Sequence, residues 1–306
     1  MRRLLPYLLL LVAVLSWSGN MVIGRGVHES VPPIALSFWR WLVAFLILLP
    51  FALRTAWQEW HLVIRHWRFL FVQGVLGVTG YNTLVYLGLQ TTTAINAAVV
   101  SATIPVIIVF ISFLVYQERI ARRQALGGLI SFFGVIWIIS HGSPADLFGL
   151  HANRGDLWIL AAALTWASYS VFLRHYPEQL HPLVFLLCIM AAGLLVLAPF
   201  YAWEHLGGRT IRFDTTTVIT VLYVALFASV IAFICWNRAV RWVGANRAGI
   251  FVHFMPVFST LLAILFLGER LYAYHLVGIA AVATGITLTT WHAPPKKATV
   301  SAEEQG

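Results

Sequence analysis

The chain has 306 residues, of which 60% are hydrophobic and only 10% are charged, and its mean hydropathy is +0.84. A soluble domain carries about 25% charged residues, so this composition excludes a large soluble protein and indicates a membrane protein. The formal charge of +9 does not indicate nucleic-acid binding, because the Lys and Arg residues lie mostly in short segments between apolar runs.

The N-terminal segment, MRRLLPYLLLLVAVLS, imitates a secretory signal peptide with its basic start and apolar middle. It continues as SWSGNMVIG without an Ala-x-Ala cleavage pattern, so we interpret it as a retained first helix. Cys188 and Cys235 both fall inside apolar runs and form no spaced motif. We therefore expect no disulfide framework, no metal site and no cofactor.

Apolar stretches of about 20 residues, the length that crosses a hydrocarbon core of about 30 Å, recur along the whole chain. They predict an all-α integral membrane protein with ten transmembrane helices. The approximate spans are 4–23, 34–53, 69–89, 94–116, 124–140, 155–173, 182–203, 216–237, 245–267 and 273–290.

The basic residues are unequally divided between the two sides of these spans. With the N-terminus inside, the inner segments hold 14 of the 20 Lys and Arg residues, the outer segments hold 5, and Arg40 lies within a span. The positive-inside rule then predicts a multi-pass protein of the bacterial cytoplasmic (inner) membrane with both termini in the cytoplasm. The tail 291–306 lacks apolar periodicity and is predicted to be a disordered cytoplasmic segment.

A proline-centred segment occurs twice. TAINAAVVSATIPVIIVFISFLVYQER begins at Thr93, and GANRAGIFVHFMPVFSTLLAILFLGER begins at Gly244 with identical residues at an offset of 151. At an offset of 149, Trp17 pairs with Trp166 and Pro50 with Pro199. The pattern predicts a first repeat at 4–140, an outer linker at 141–154 and a second repeat at 155–290. Five spans per repeat is an odd number, so the second repeat should cross the membrane in the opposite sense, as in many secondary transporters.

These features together resemble the EamA family of the drug/metabolite transporter superfamily. The resemblance rests on the paired Pro-Val and Glu-Arg segments, the following helices with glycines seven apart, and the tryptophans within spans, and it covers roughly residues 4–290. The second copy has the family's usual Gly-Glu as Gly268-Glu269, whereas the first copy departs from it with Gln117-Glu118. The resemblance implies a transporter that acts as an exporter or facilitator of small metabolites such as amino acids.

Polar and aromatic residues deep inside the spans are candidates for a substrate site. Trp17 and Trp166, with Asn20 and Tyr169 one turn further on, either line a pathway or serve ordinary packing. Tyr86 and Trp236 are weaker candidates of the same kind, as are Asn82, Asn96 and Asn237.

Arg40 and His253 lie deep inside their predicted spans. Arg40, in FWRWL, either reaches outward between Trp39 and Trp41 or attracts a substrate carboxylate into the pathway. An arginine in this helix is frequent in the family that the chain resembles. His253 replaces Ala102 of the first repeat near mid-membrane. We interpret it either as a residue that contacts substrate or senses protons, or as a neutral imidazole satisfied by helix packing.

Pro105 and Pro256 each lie about 11 residues into their spans, where proline removes a ladder hydrogen bond. We predict a bend that shapes the pathway or acts as a hinge, with a simple packing kink as the alternative. The boundary pairs are expected to fix the turn into the next helix, with a gate contact as the alternative; they are Glu118, Arg119, Glu269 and Arg270.

The acidic residues are informative by their position, since all lie in loops, tails or span ends. A proton-driven carrier commonly needs a carboxylate at the midplane, and a cation exporter needs one as counter-charge. No P-loop is present, which argues against ATP-driven transport. The sequence thus predicts a non-enzymatic alternating-access carrier for a small zwitterionic or weakly anionic metabolite, and a monomer is compatible with this prediction. A membrane-embedded enzyme and a non-transporting scaffold or lipid-flippase-type subunit are the alternatives.

Overall fold

The computed structural model describes residues 4–117, 122–139, 142–143 and 153–290, and these residues are helical with no strand among them. The helices are α1 (Leu5–Gly26), α2 (Pro33–Gln58), α3 (Trp60–Arg65), α4 (Trp67–Leu89), α5 (Ala94–Tyr116), α6 (Arg122–Ile139), α7 (Arg154–His175), α8 (Pro182–Leu206), α9 (Thr215–Val243), α10 (245–267) and α11 (Ala273–Thr290).

Seven of these helices are long and apolar enough to cross a membrane by length and composition: α1, α2, α4, α5, α7, α8 and α9. Shorter apolar stretches lie in the other three predicted spans, at Ala125–Gly134, Phe251–Leu267 and Ala273–Gly285. The all-helical membrane architecture that the sequence predicts is therefore confirmed, while the count of ten spans stays a prediction. The short helix α3, between α2 and α4, was not predicted.

Side-chain caps and prolines explain where several helices begin. The Thr93 hydroxyl accepts a hydrogen bond from the Asn96 N–H at the start of α5, and the Asn153 side chain does the same for the Gly155 N–H of α7. Pro33 and Pro182 open α2 and α8, positions where the missing N–H costs nothing because no intrahelical acceptor is available.

The two halves of the chain have matching helix irregularities. A π-helical segment, Gly74–Gly80, lies within α4, and another, Val224–Ile231, lies within α9. A turn at 102–103 interrupts α5, and a 3₁₀ segment at Ile250–His253 lies within α10. Each irregularity in the first half therefore has a counterpart in the second, about 150 residues later.

Helices of one half pack mainly against helices of the other. α1 packs against α9 and α10, and in the same way α7 packs against α4 and α5. The corresponding helices α2 and α8 pair with each other, as do α6 and α11. Small residues allow the close approach: a Cβ on Gly74 of α4 would lie 2.6 Å from the Ile189 carbonyl oxygen of α8. The residues that meet at the centre therefore come from both halves.

Candidate functional site

Aromatic side chains from α1, α7 and α9 meet at the centre of the bundle. The ring centroids of Trp17 and Trp166 lie 4.8 Å apart at an interplanar angle of 77°, and Trp236 lies 5.3 Å from Trp17. Phe233 lies 5.3 Å from Trp166. These four buried residues, the central aromatic cluster, adopt the edge-to-face and tilted arrangements that ring quadrupoles favour. Because the rings are buried and in contact, the cluster is a packed part of the protein core.

Three further rings extend the central aromatic cluster. Tyr81 and Tyr169 lie 4.8 Å and 5.0 Å from Trp166, and Trp41 lies 5.0 Å from Phe233. The Trp17 indole N–H donates to the carbonyl oxygen of Ala228 at 3.0 Å. The buried indole nitrogens of Trp41 and Trp236 have no hydrogen-bond partner among the described residues. The cluster therefore combines a large apolar surface with unused donors.

A hydrogen-bond network beside the cluster holds Arg40 of α2, whose exposed fraction is 0%. Its Nε donates to the Ser229 hydroxyl at 2.9 Å, and its Nη1 donates to the Tyr86 hydroxyl at 2.7 Å and to Asn20 Oδ1 at 3.1 Å. The Tyr86 hydroxyl donates to the same Asn20 oxygen at 2.5 Å. The guanidinium thus points into the bundle, and does not reach outward between Trp39 and Trp41.

One nitrogen of this guanidinium is unused. Arg40 Nη2 is buried and has no hydrogen-bond partner among the described residues. The side chain also lies over two rings, with its central carbon 5.1 Å from the Trp41 centroid and 5.7 Å from that of Tyr86. Arg40 therefore carries a buried positive charge that neutral groups hold in place.

The π-helical segments supply partners to this site. Ser229 accepts a hydrogen bond from Arg40, and the Ala228 carbonyl accepts one from Trp17. Both acceptors lie in the π segment of α9. The Ser229 hydroxyl donates five residues back, to the Val224 carbonyl at 2.9 Å. In α4, the Asn82 amide likewise donates five residues back, to Gly77 at 3.0 Å. Backbone carbonyl groups of both π segments are therefore available to accept hydrogen bonds from side chains. Such segments are frequent at functional sites.

Carboxylates lie at helix ends, away from this centre. Glu204, at the end of α8, accepts hydrogen bonds from the backbone N–H groups of Ile34 at 3.3 Å and Ala35 at 2.7 Å, in the first turn of α2. Glu59 accepts from the His181 N–H at 2.8 Å, at the start of α8. Each acid therefore satisfies unpaired N–H groups of the partner helix and complements its dipole.

Two more acids have the same role. Glu269 accepts from the Ala94 and Ile95 N–H groups at 2.9 Å and 3.2 Å, so it caps α5 and not the helix that follows it. Asp214 accepts from the Thr217 N–H at 2.7 Å, and these hydrogen bonds to the carboxylate lower the pKa of Asp214. Arg270 is exposed, and Glu118 and Arg119 lie outside the described residues.

His253 lies apart from the central cluster, in the 3₁₀ segment of α10 that packs against α1, α5 and α11. Both of its ring nitrogens are buried and have no hydrogen-bond partner among the described residues. Nothing described connects the ring to Arg40 or to the tryptophans. Its predicted contact with substrate thus remains a prediction.

A second histidine, His275 of α11, has a structural role that was not predicted from the sequence. Its Nδ1 accepts from the Tyr272 N–H at 3.0 Å, which leaves the Nε2–H to donate to Asn96 Oδ1 at 2.9 Å. The side chain is buried, and it connects α11 to the first turn of α5, which Glu269 also caps. His275 therefore stabilises this helix start.

Pro105 and Pro256 follow the interruptions of their helices. Pro105 lies in the first turn of the segment Ile104–Tyr116, after the turn at 102–103, and Pro256 lies in the first turn of Phe254–Leu267, after the 3₁₀ segment. The bend expected at each proline is a break in the α-helix a few residues earlier. Whether the break moves during function stays a prediction.

The structure brings together most of the predicted substrate residues: Trp17, Asn20, Arg40, Tyr86, Trp166, Tyr169 and Trp236. His253, Pro105, Pro256 and the Glu-Arg pair at 269–270 lie outside this group. Sequence reasoning missed Ser229 and Phe233, because neither is unusual in an apolar helix. Within the described residues, no group of three or more His, Cys, Asp or Glu side chains could hold a metal ion.

Comparisons with known proteins agree with this architecture. Residues 4–140 and 153–291 each match the sequence model described as "EamA-like transporter family". The chain is 28% identical over 304 residues to "Uncharacterized transporter YetK" of Bacillus subtilis (strain 168), covering 98% of this chain and 91% of the relative.

A second relative has the same sequence identity. An "Uncharacterized transporter" of Archaeoglobus fulgidus is 28% identical over 294 residues, covering 93% of this chain and 96% of the relative. A solved structure titled "Crystal structure of protein" covers 94% of this chain and 97% of its own, with 20% identity and a TM-score of 0.65. It shares the fold.

Proposed function

The chain belongs to the EamA-like transporter family and is a multi-pass membrane transporter, and we propose that it is a secondary carrier for small metabolites such as amino acids, working by export or facilitated exchange. In this proposal, ten transmembrane helices form two inverted five-helix repeats, at 4–140 and 155–290. The repeats alternately expose a shared central site to the two sides of the membrane.

One observation supports this proposal above all. Residues of both halves form a buried polar and aromatic site at the centre of the helix bundle. Trp17 and Arg40 of the first half meet Trp166, Ser229 and Trp236 of the second. Buried polar groups in a membrane protein are costly and mark substrate pathways. A site at the boundary of two repeats is also where a rocking motion would change access.

The packing of the central aromatic cluster suggests what must move. Its rings touch one another, so a solute can enter only if the two halves separate there. The interruptions of α5 and α10 before Pro105 and Pro256 lie in helices that contact α7 and α1, which carry Trp166 and Trp17. We assign the hinge role to these interruptions. The exposed Arg270 and the capping Glu269 then act at a helix end and not at the substrate.

The membrane placement follows from the charge distribution. With both termini in the cytoplasm, basic residues are concentrated on the inner side, as the positive-inside rule requires. The proposed location is the cytoplasmic membrane of a bacterium. The relatives are named transporters, which favours transport over a membrane-embedded enzyme or a scaffold.

Counterflow in proteoliposomes tests the proposal. Purified protein is reconstituted with an internal pool of one compound, and entry of the same labelled compound is followed for amino acids, nucleobases and organic cations, with and without a pH gradient. We expect saturable counterflow of at least one amino acid or related carboxylate, and no counterflow of organic cations. Absence of counterflow for every compound would contradict the proposal.

Two variants of one helix provide the matched control. Trp166→Ala should reduce counterflow strongly, because this ring contacts both Trp17 and Trp236. Trp158→Ala, on the same helix but with a 45% exposed side chain, should leave it unchanged. His253→Ala, assayed over a pH series, tests the proton-sensing role. An unchanged pH dependence would remove that role and leave the transport proposal intact.

A further inference from the structure

The donors of the Arg40 guanidinium can be accounted for individually. A guanidinium has five N–H groups. The Nε–H donates to Ser229, and the two N–H groups of Nη1 donate to Tyr86 and Asn20. The two hydrogens of Nη2 remain, buried and without a partner among the described residues. These two donors are therefore available to a ligand.

No described residue supplies a counter-charge to this group. Among the described residues, no carboxylate forms a salt bridge with Arg40, and Glu204, Glu269 and Glu59 bind backbone N–H groups at helix ends. Burying a charge without a partner is strongly unfavourable, and more so away from water. An anionic ligand would remove this cost, whereas a neutral or cationic ligand would not.

We infer that Arg40 binds the carboxylate of the transported molecule through Nη2, and that an α-amino group is not needed for recognition. The substrate class is accordingly amphipathic monocarboxylates, with amino acids as the members that also carry an ammonium group. This inference rests on the proposed transport function, and it deepens it by naming the group that the site recognises.

The surroundings of Arg40 offer little to an ammonium group. Asn20 Oδ1 already accepts hydrogen bonds from both Arg40 and Tyr86. The amide oxygen of Asn82, one turn before Tyr86, is buried without a partner, but it is neutral. An ammonium group close to Arg40 would therefore meet a like charge without a compensating carboxylate.

The rest of the ligand would meet aromatic surface. Trp41 follows Arg40 in α2 and packs against Phe233 of the central aromatic cluster. Phe233 in turn contacts Trp17 and Trp166. A molecule whose carboxylate reaches Nη2 would thus place its apolar part against these rings once the cluster opens. An apolar body with a carboxylate at one end fits that arrangement.

Three probes that share a phenyl ring separate the charged groups. Phenylpropionate carries only the carboxylate, phenylalanine carries both groups, and phenethylamine carries only the amine. Their binding to the full chain in detergent is measured by thermal unfolding and by competition for counterflow. We expect phenylpropionate to stabilise the protein and to compete at least as well as phenylalanine, and phenethylamine to do neither. Equal stabilisation by phenethylamine, or by chloride at the same concentration, would overturn the inference.

Variants then test whether Arg40 is the residue responsible. Arg40→Gln should weaken phenylpropionate binding roughly thirtyfold or more, because a buried charged hydrogen-bond partner is lost. Arg40→Lys keeps the charge but loses the planar fork, so it should bind the probe more weakly than the wild type and more tightly than Arg40→Gln. Arg241→Gln, an exposed arginine stacked on Tyr176 at 4.0 Å, is the matched control and should bind normally.

The outcomes for this inference and for the proposed function can be told apart. Wild-type preference for phenylpropionate is measurable even if Arg40→Gln does not fold. Binding of phenylpropionate without counterflow of any compound would support the anion site and contradict transport. Counterflow that follows the amine and ignores the carboxylate would support transport and overturn the anion site. Normal phenylpropionate binding by folded Arg40→Gln would also overturn it.

Discussion

The two halves of the chain contain the same hydrogen-bonded pair with its members exchanged. In the first half, Tyr86 of α4 donates to Asn20 of α1 at 2.5 Å. In the second half, Tyr169 of α7 donates to Asn237 of α9 at 2.8 Å. Asn20 corresponds to Tyr169 at the offset of 149, and Tyr86 corresponds to Asn237 at the offset of 151. Either order supplies one hydroxyl donor and one amide acceptor, so the exchange preserves the bond.

The difference between the two pairs is the residue beside them. Arg40 donates to both members of the first pair, whereas the position 149 residues later is Ile189, which is also fully buried. The Tyr–Asn hydrogen bond between helices is thus common to both halves, whereas the positive charge of Arg40 is present only in the first half. In our proposal, the asymmetric residue recognises the ligand, whereas the repeated bond joins the helices of each half.

Arg40→Ile is the variant that removes this difference most completely. We expect it to lower the affinity for a carboxylate by about 2–5 kcal/mol, because the ligand loses its buried charged partner. Thermal stability of the empty protein should stay equal or rise, since replacing a buried charge by an apolar residue is often neutral or stabilising. Counterflow and thermal unfolding measure the two quantities, and Ile189→Val on the corresponding helix is the control. Retained counterflow would show that the asymmetry has no functional role.

Tyr86→Phe and Tyr169→Phe test the two pairs separately. Tyr86→Phe removes bonds to Arg40 and Asn20 and should cost about 1.5–3 kcal/mol, as for hydrogen bonds to charged groups. Tyr169→Phe removes a neutral bond between helices, and such bonds average about 0.6 kcal/mol in membrane proteins. Unfolding of the folded protein in detergent compares the two. Equal losses would mean that Arg40 adds nothing to the first pair.

Gly193→Ala tests a second difference, in how closely the halves pack. Gly193 of α8 corresponds to Ala44, which is buried in α2, the helix that packs against the other π segment. A Cβ on Gly193 would overlap the Val78 side chain and lie 3.0 Å from the Gly74 carbonyl oxygen. We expect a loss of about 1–3 kcal/mol from overpacking.

The reverse exchange is the control for this packing difference. Ala44→Gly adds no atoms, so its cost should stay near the helix-propensity difference of about 1 kcal/mol. Thermal unfolding of both variants checks the comparison. A Gly193→Ala protein as stable as the wild type would show that α4 and α8 can separate without cost.

The helices could be predicted from the sequence because apolar runs are a local signal. The positions of Trp17 and Trp166 well inside their spans made them candidates for pathway lining or ordinary packing, but the sequence did not show that their rings lie 4.8 Å apart. The position of Arg40 could not be predicted. Its partners Asn20, Tyr86 and Ser229 lie far from it along the chain, and only the helix packing decides whether the guanidinium points inward or outward.

The π segments and the capping acids were missed for related reasons. Nothing in the composition of Gly74–Gly80 or Val224–Ile231 distinguishes a π turn from an α turn, so the neighbouring helices decide it. Glu269 follows Gly268 in sequence and suggested a local turn role, yet its carboxylate caps α5, whose start lies about 175 residues earlier. Such contacts follow from the assembled bundle alone.

The smallest expected difference concerns the acids that join α2 and α8. Glu204 accepts two backbone N–H groups of α2, whereas Glu59 accepts one, from His181 at the start of α8. Glu204→Gln leaves a single acceptor oxygen for two N–H groups and should destabilise the protein by about 1 kcal/mol. Glu59→Gln keeps an acceptor for its one N–H group and should cost less than half as much, because only the charge is lost. Thermal unfolding of the two variants in the same detergent measures the difference, and a larger loss in Glu59→Gln would mean that the charge at this helix end outweighs the number of bonds.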